Sequence, residues 1–231
     1  MKKILLAIPC ANGQIWCECH ESIVRNTHIL RDSGYEVVPY FTSSNIYVDR
    51  VRNICVHFFL ASECEDLIFV DSDLIFEDTA ILKLLKHDKD IVGGVYPYKS
   101  DELNFPVVLQ FNEQQNCLEE STGLVTADMI PTGLMRIRRN VFQEMIDIPI
   151  PNGLKIQKDN GGIYNFFQTG IVFSDSNAWY GEDSAFCEHW TRMGKTIYIE
   201  PNLNFTHIGI KHYKGNYHAY LTSRMVKDGH C

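Results

Sequence analysis

The sequence has no apolar run long enough to cross a membrane. No window approaches the roughly 18 consecutive apolar residues that a spanning helix needs. At the N-terminus, Lys2 and Lys3 precede an apolar run over residues 4–8, as at the start of a signal peptide. The run ends at Pro9, and no full hydrophobic region or cleavage site follows it. We therefore expect a cytoplasmic protein without a membrane span.

The chain also lacks an excess of positive charge. Its 231 residues carry a formal net charge of −8, which argues against non-specific binding to nucleic acid or to an anionic membrane surface. Hydrophobic residues make up 45% of the chain and charged residues 22%. These values are typical of a soluble globular domain with a substantial core. We expect a single domain over residues 1–231, and the sequence does not indicate its oligomeric state.

Paired cysteine motifs are absent too. The eight cysteines are scattered, several of them in apolar segments, as is typical of free thiols in a reducing compartment. Cys17, Cys19 and His20 lie close together in the chain. Their spacing differs from that of structural zinc sites, and the sequence contains no matching second pair. A structural zinc site is therefore not predicted.

Strand and helix patterns alternate through the first hundred residues. Apolar runs predict strands over residues 3–9, 35–41, 67–70 and 90–96. Apolar residues at helical spacing predict helices over residues 19–32, 46–62 and 78–87. Such alternation predicts an α/β fold with a doubly wound, mostly parallel sheet.

The pattern becomes more mixed after Pro97. Strands are predicted over residues 107–111, 123–130, 134–137, 164–173 and 196–199, and helices over residues 140–146 and 181–193. Residues 149–162 contain prolines and glycines without apolar periodicity, which predicts a long loop. No element is predicted in the tail over residues 202–231. We expect a second, smaller mixed sheet in the C-terminal half.

The most informative segment is the buried strand that ends in Asp71, Ser72 and Asp73. Its carboxyl end is the place where open α/β sheets bind ligands. Since side chains alternate along a strand, both aspartates are predicted to point the same way. Adjacent carboxylates repel each other, and a divalent cation relieves that repulsion. The same three residues would also suit a strand end that caps the next helix, and alone they do not decide between these interpretations.

Further motifs follow in a consistent order along the chain. They are Val51-Arg52-Asn53, the segment 91–97 with Gly93 and Gly94, Thr132-Gly133, Gly181-Glu182-Asp183 and Thr206-His207-Ile208-Gly209. Together with the two aspartates, they resemble the motifs of nucleotide-sugar-dependent glycosyltransferases of the GT-A fold, which carry a DxD motif. The resemblance covers nearly the whole chain. It implies a Rossmann-like, mostly parallel central sheet flanked by helices, with a nucleotide-binding lobe over residues 1–100 and an acceptor-binding, metal-completing lobe over residues 101–231.

The resemblance also implies a cofactor and a donor site. Asp73 would hold a divalent metal, Asp71 would support it directly or through water, and His207 would be a further ligand. Carboxylate oxygens with an imidazole nitrogen favour Mn²⁺ over Mg²⁺. The donor would be a nucleoside-diphosphate sugar, and the metal would neutralise its leaving group. The residues predicted to bind this donor are Pro9, Asn12, Arg52, Asn53, Asp71, Gly93, Gly94, Thr132, Gly133, Lys211 and Lys214.

Glu182 and Asp183 are the candidate catalytic residues. In an inverting enzyme Asp183 would take the proton from the acceptor hydroxyl, and Glu182 would raise the pKa of Asp183 or bind the acceptor. In a retaining enzyme the pair would bind sugar hydroxyls instead. Acidic residues in the first turn of a helix also stabilise it through the helix dipole, and the sequence does not choose among these roles.

The resemblance implies two partners, a nucleotide-sugar donor and a carbohydrate or glycoconjugate acceptor. Two other functions remain open. One is a sugar-binding or nucleotide-binding module without catalysis, which would keep the same residues. The other is an Asp-x-Asp phosphotransferase, in which an aspartate after a strand is the nucleophile. Such phosphotransferases usually begin with that strand, whereas here other strand and helix units precede Asp71.

Overall fold

The structure, a computed structural model, describes residues 1–44, 47–150, 156–209 and 211–228. The strands are β1 (Lys2–Ala11), β2 (Tyr35–Ser44), β3 (Asp66–Val70), β4 (Leu74–Phe76), β5 (Ile91–Gly93), β6 (Val108–Leu109), β7 (Leu118–Glu119), β8 (Leu124–Met129), β9 (Leu134–Arg138), β10 (Ile197–Ile199), β11 (Asn204–Ile208) and β12 (His212–Asn216). The helices are α1 (Cys17–Asp32), α2 (Val48–Ala61), α3 (Ala80–Lys86), α4 (Arg139–Asp147), α5 (Glu182–Arg192) and α6 (Tyr217–Asp228).

A large central sheet organises the described part of the chain. Its strand order is β2-β1-β3-β9-β5-β10-β8-β6, with β7 also paired to β8. Strands β8 and β9 run against the others, and β9 lies between the parallel strands β3 and β5. Strands β8 and β9 therefore run in the same direction as each other, with β5 and β10 between them in the sheet and only residues 130–133 between them in the chain. The predicted α/β class with a mostly parallel, helix-flanked sheet is confirmed.

Apolar side chains cover both faces of this sheet. Along β1, Leu5 and Ala7 face one core cluster, whereas Ile4, Leu6 and Ile8 face the other. The side chains of β3 divide in the same way. Because both faces are buried, these strands appear in the sequence as continuous apolar runs rather than alternating ones.

The chain also forms a second, three-stranded sheet. Its order is β12-β11-β4, and all its pairs are antiparallel. It is therefore not mixed, and it recruits β4 from the first half of the chain. Strands β11 and β12 and helix α6 all lie in the tail over residues 202–231, in which no element was predicted. The sequence of β12, residues 212–216, has no apolar alternation, so its strand structure depends on pairing with β11.

The strand predicted over residues 164–173 is wrong. This segment is irregular and contains only the isolated bridges of Lys158 with Tyr164 and of Gly170 with Tyr180 among its described residues. Phe166 and Phe167 are buried in the core, which accounts for the strand-like composition. The loop predicted over residues 149–162 lies partly outside the described residues. Within the described ranges, no helix combines the length and apolar character needed to cross a membrane.

Candidate active site

The turn at residues 71–73 connects the central sheet to the small sheet. The Asp71 N–H donates to the Gly133 carbonyl oxygen (2.8 Å), and the Ile208 N–H donates to the Asp73 carbonyl oxygen (2.8 Å). Strand β3 ends before Asp71, so the strand alternation predicted for the two aspartates does not apply. Their side chains instead have separate sets of partners.

Both carboxylate oxygens of Asp71 accept hydrogen bonds. Oδ1 accepts from Nη2 of Arg52 and Oδ2 accepts from the Tyr96 hydroxyl, each at 3.1 Å. Burial and the neighbouring Asp71 charge raise the pKa of Tyr96, which keeps this hydroxyl protonated. A Cβ atom added to Gly133 would lie 2.5 Å from Oδ2 of Asp71 and against the Tyr96 hydroxyl. Glycine at position 133 therefore leaves room for this arrangement.

Asp73 has two cationic or polar neighbours. Its Oδ2 accepts a hydrogen bond from the Lys99 ammonium (2.5 Å), and its Oδ1 lies 3.6 Å from Nε2 of His207. Burial alone would raise the pKa of Asp73, but the interactions with His207 and Lys99 outweigh it and lower the pKa. Asp73 is thus an anion at neutral pH.

The position of His207 suits a cation shared with Asp73. Nδ1 of His207 lies 2.8 Å from the Pro97 carbonyl oxygen, which can only accept, so Nδ1 carries the proton. Nε2 of His207 faces Oδ1 of Asp73 at 3.6 Å, and either a proton or a metal cation between these two atoms would satisfy both. Metal-binding histidines usually donate the opposite ring N–H to a carbonyl or carboxylate oxygen, which fixes the ring orientation.

Asp73 and His207 therefore fit a divalent metal as two of its ligands. Both Asp71 oxygens are already engaged by Arg52 and Tyr96, so the structure gives less support to Asp71 as a direct ligand. The described residues contain no preformed group of three metal-ligating side chains. Diphosphate oxygens and water would have to supply the remaining ligands, as is common for Mg²⁺ sites.

The acidic pair opens helix α5 beside the turn. The hydroxyl of Thr132 donates to Oδ1 of Asp183. Burial raises the pKa of Asp183, and Arg52 and Thr132 offset only part of that increase. Burial, followed by the adjacent Asp183 charge, also raises the pKa of Glu182. The pair is thus better suited to accept a proton near neutral pH than ordinary carboxylates.

Arg52 connects the two acidic groups. Its side chain is 3% exposed, in the first turns of α2. Its Nε lies 3.7 Å from Oε1 of Glu182 and 3.6 Å from Oδ1 of Asp183. Burial opposes the charge of the guanidinium, but the carboxylates of Asp71, Asp183 and Glu182 outweigh it and raise the pKa of Arg52. The single positive charge of Arg52 is therefore shared among three carboxylates, a role that the sequence did not indicate.

Arg52 and the four acids line one cleft of about 330 Å³ at the carboxyl ends of β1 and β3. Its lining consists of Pro9, Cys10, Ala11, Val48, Val51, Arg52, Asp71, Ser72, Asp73, Glu182 and Asp183. The partners Tyr96, Lys99, Thr132 and His207 contact these acids from outside the lining. A larger groove of about 520 Å³ lies elsewhere, beside Arg25, Asp78 and the small sheet. We assign the site to the smaller cleft because the ionisable side chains converge there.

Asn12 and Asn53, both predicted to bind the donor, have structural roles in the backbone around the cleft. Asn12 has a left-handed φ of 54° in the turn after β1 and is not part of the cleft lining, unlike Pro9. Asn53 is buried, and its amide donates to Oδ1 of Asn165 (2.7 Å) and to the Phe167 carbonyl (3.1 Å). Its Oδ1 accepts from the Phe167 N–H (2.9 Å). Asn53 therefore holds the irregular segment against α2.

The predicted glycines and lysines lie outside the cleft lining. A Cβ atom at Gly94 would overlap the ring of Phe205, so the residue allows the small sheet to pack closely. At Gly93 it would meet the side chain of Ile130. Lys211 is exposed and forms an ion pair with Asp101. Lys214 is also exposed, on β12.

Tyr96 and Lys99 are site residues that were not predicted from the sequence. Tyr96 lies within the glycine-containing segment 91–97, where its apolar neighbours predict a core residue. Lys99 follows in an irregular segment with other polar residues. No local pattern distinguishes such a lysine from a solvated one, since its partner Asp73 is 26 positions away.

Several solved structures resemble this chain. A197 from STIV matches with a TM-score of 0.52 and 18% identity, over 90% of this chain and 86% of A197. A mutant Drosophila β1,4-galactosyltransferase 7 in complex with manganese, UDP-Gal and xylobiose matches with a TM-score of 0.50 and 16% identity, over 95% of this chain and 74% of the other. GalNAc-T7 with UDP, GalNAc and Mn²⁺ matches with a TM-score of 0.52 and 13% identity, over 90% of this chain and 43% of the other.

No family model and no curated protein sequence matches the chain. Sequence identities this low establish similarity of fold alone. They confirm the fold that the sequence motifs predicted: the chain has the fold of the GT-A glycosyltransferases.

Proposed function

We propose that the protein is a metal-dependent glycosyltransferase that moves a sugar from a nucleoside-diphosphate sugar to a hydroxyl of a glycan or glycoconjugate. The observation that carries the proposal is the convergence of Asp71, Asp73, Glu182 and Asp183 around Arg52 in a single cleft. The cleft lies at the carboxyl ends of central strands, where α/β sheets bind ligands. Two proteins of the same fold support it further, one in complex with manganese and UDP-Gal and the other with Mn²⁺, UDP and GalNAc.

The donor occupies the cleft with its diphosphate near Asp73. Asp73 and His207 hold Mn²⁺ or Mg²⁺, which when bound neutralises charge that develops on the leaving diphosphate. Pro9, in the cleft lining after β1, contacts the nucleoside, and Asn12 shapes the turn that follows. Lys211 and Lys214 on the small sheet are additional cations for the diphosphate. Asp71 keeps Arg52 and Tyr96 in place at the base of the cleft.

Asp183 is the candidate base of an inverting reaction. The acceptor hydroxyl oxygen forms a bond to the anomeric carbon as the bond from that carbon to the diphosphate oxygen breaks. The electron pair of the broken bond leaves with the diphosphate, and the hydroxyl proton passes to an oxygen of Asp183. The raised pKa of Asp183 strengthens it as a base. In a retaining reaction the same carboxylate, with Glu182, would bind sugar hydroxyls.

A phosphotransferase has less support because its aspartate nucleophile must be free to attack. Both Asp71 oxygens accept hydrogen bonds, and Asp73 is paired with Lys99. A binding module without catalysis would use the same cleft, and only a measurement of turnover separates it from an enzyme.

The test compares Asp183→Asn with the unmodified protein in a sugar-transfer assay containing Mn²⁺. We expect the variant to lose about 10²–10⁴-fold in kcat, the usual contribution of a general base, while nucleotide affinity stays nearly constant. The control is Glu18→Gln, which changes an exposed acid in the first turn of α1 and should leave both quantities unchanged. Equal turnover in Asp183→Asn and the unmodified protein would exclude Asp183 as the base.

A further inference from the structure

The side chain of Lys99 contacts a residue of the proposed metal site. Its ammonium lies 2.5 Å from Oδ2 of Asp73, the residue with the strongest geometric support as a metal ligand. The aliphatic part of Lys99 crosses Gly209, where an added Cβ atom would lie 3.1 Å from Cδ of the lysine. The absence of a side chain at Gly209 thus opens the path of Lys99 to Asp73. With 38% of its side chain exposed, Lys99 can also leave that position.

Two cations require the same carboxylate. Asp73 has one oxygen against the Lys99 ammonium and the other facing His207. A divalent ion shared by Asp73 and His207 would lie close to the ammonium, and like charges at such a distance repel each other. Lys99 and the metal therefore compete for Asp73.

We infer that Lys99 is a displaceable counter-cation that makes metal binding depend on the nucleotide. The inference rests on the proposed function. Before the donor binds, the ammonium neutralises Asp73 and weakens its affinity for a divalent ion. When a nucleoside diphosphate enters the cleft, the ammonium moves to its phosphate oxygens, and Asp73 becomes available to the metal. Lys99 is thus a positioning residue that couples the two binding events.

This mechanism has a thermodynamic signature that a fixed positive charge lacks. If the diphosphate displaces the ammonium, then nucleotide increases metal affinity, and by linkage metal increases nucleotide affinity by the same factor. Part of this factor comes from direct contact between metal and diphosphate, and part comes from Lys99. A lysine that acted only as a nearby charge would change both affinities but leave the factor between them unchanged.

The experiment measures Mn²⁺ binding by titration calorimetry and by electron paramagnetic resonance, for the protein alone and with a saturating nucleoside diphosphate. UDP, GDP, ADP and CDP are compared first, and the tightest is used. The test variant is Lys99→Met. The matched control is Lys83→Met, because Lys83 also lies 2.5 Å from a carboxylate, that of Glu77, and is 39% exposed. Unlike Asp73, the partner of Lys99, Glu77 does not line the cleft.

We expect Lys99→Met to bind Mn²⁺ more tightly without nucleotide, by up to about fivefold, because the loss of one partly exposed ion pair corresponds to a factor of that size at most. The factor by which nucleotide increases Mn²⁺ affinity should be smaller in this variant than in the unmodified protein. Lys83→Met should match the unmodified protein in both respects.

Two results would overturn the role of Lys99. One is nucleotide-free Mn²⁺ affinity that is unchanged or weaker in Lys99→Met, and the other is an unchanged coupling factor. If Mn²⁺ and a nucleotide bind but Lys99→Met shows either result, only this inference fails. If no nucleoside diphosphate binds to any of the proteins with Mn²⁺ present, the proposed function itself fails.

Discussion

Replacement of Arg52 with methionine should destabilise the fold, and most strongly at neutral pH. The guanidinium is 3% exposed and contacts the carboxylates of Asp71, Glu182 and Asp183. Methionine has a similar length and lacks the charge, so the substitution removes the cation while it keeps most of the packing. Three carboxylates would then lie together without a neutralising partner.

The magnitude follows from how deeply these charges are buried. Removal of one partner from a fully buried ion pair costs roughly 3–5 kcal/mol. Here the carboxylates border a cleft that reaches solvent, so water offsets part of that cost. We expect a loss of about 2–3 kcal/mol in the free energy of unfolding. For a chain of this size, that loss corresponds to a decrease in Tm of roughly 4–12 °C.

The pH dependence gives the prediction its sign. Burial already raises the pKa values of Glu182 and Asp183, and loss of Arg52 raises them further. A carboxyl group with a raised pKa in the folded state disfavours folding at pH values above that pKa. The penalty disappears as the pH falls through the raised pKa towards the ordinary value of about 4. The stability difference between Arg52→Met and the unmodified protein should therefore shrink at acidic pH.

Thermal unfolding followed by circular dichroism at pH 5 and at pH 7.5 measures this effect. The control is Arg25→Met, which removes an exposed ion pair with Asp78 (2.6 Å) and should cost less than about 1 kcal/mol at either pH. A variant Arg52→Met as stable as Arg25→Met, or equally destabilised at both pH values, would show that Arg52 does not balance these carboxylates.

Further predictions follow from the same contacts. Because Asp183 must be deprotonated, kcat/KM should fall on the acidic side at a pH above about 3.9, the pKa of an ordinary aspartate. Thr132→Val removes a hydrogen bond to Asp183 that lowers its pKa, so the fall should move to higher pH. A fall at the same pH would show that this hydrogen bond does not stabilise the Asp183 anion. Gly133→Ala should weaken nucleotide binding in calorimetry because a methyl group there displaces Asp71, and unchanged affinity would contradict this. Asn53→Ala should lower the free energy of unfolding by about 1–3 kcal/mol through lost buried hydrogen bonds, and denaturant unfolding without such a loss would disprove its structural role.

The central strands and the helices between them could be predicted from the sequence. Strands β1 and β3 are buried on both faces, so their residues must be apolar. Helices α1 and α2 each bury one face, so their apolar residues recur at helical spacing. Local composition therefore reflects the fold at these positions. The acidic residues that follow β3 and open α5 could also be found, since strand ends and helix starts bring them into one cleft.

The partners of these residues could not be predicted. Arg52 contacts acids from two other segments, and Lys99 reaches Asp73 across Gly209. Such pairings depend on tertiary packing that no local pattern records. For the same reason β12 went unrecognised, because its pairing with β11 rather than its composition makes it a strand. Phe166 and Phe167 gave the opposite error: their apolar character predicted a strand, but they are buried in the core from an irregular segment.

The most direct test of glycosyl transfer at this cleft is a thermal-shift screen of nucleoside diphosphates and nucleotide sugars with and without Mn²⁺. A ligand that binds the folded state raises Tm according to its affinity. We predict that at least one nucleoside diphosphate raises Tm, that Mn²⁺ increases this shift, and that Asp73→Asn abolishes the effect of Mn²⁺. If no nucleotide stabilises the protein in the presence of Mn²⁺, the proposed glycosyl transfer at this cleft is contradicted.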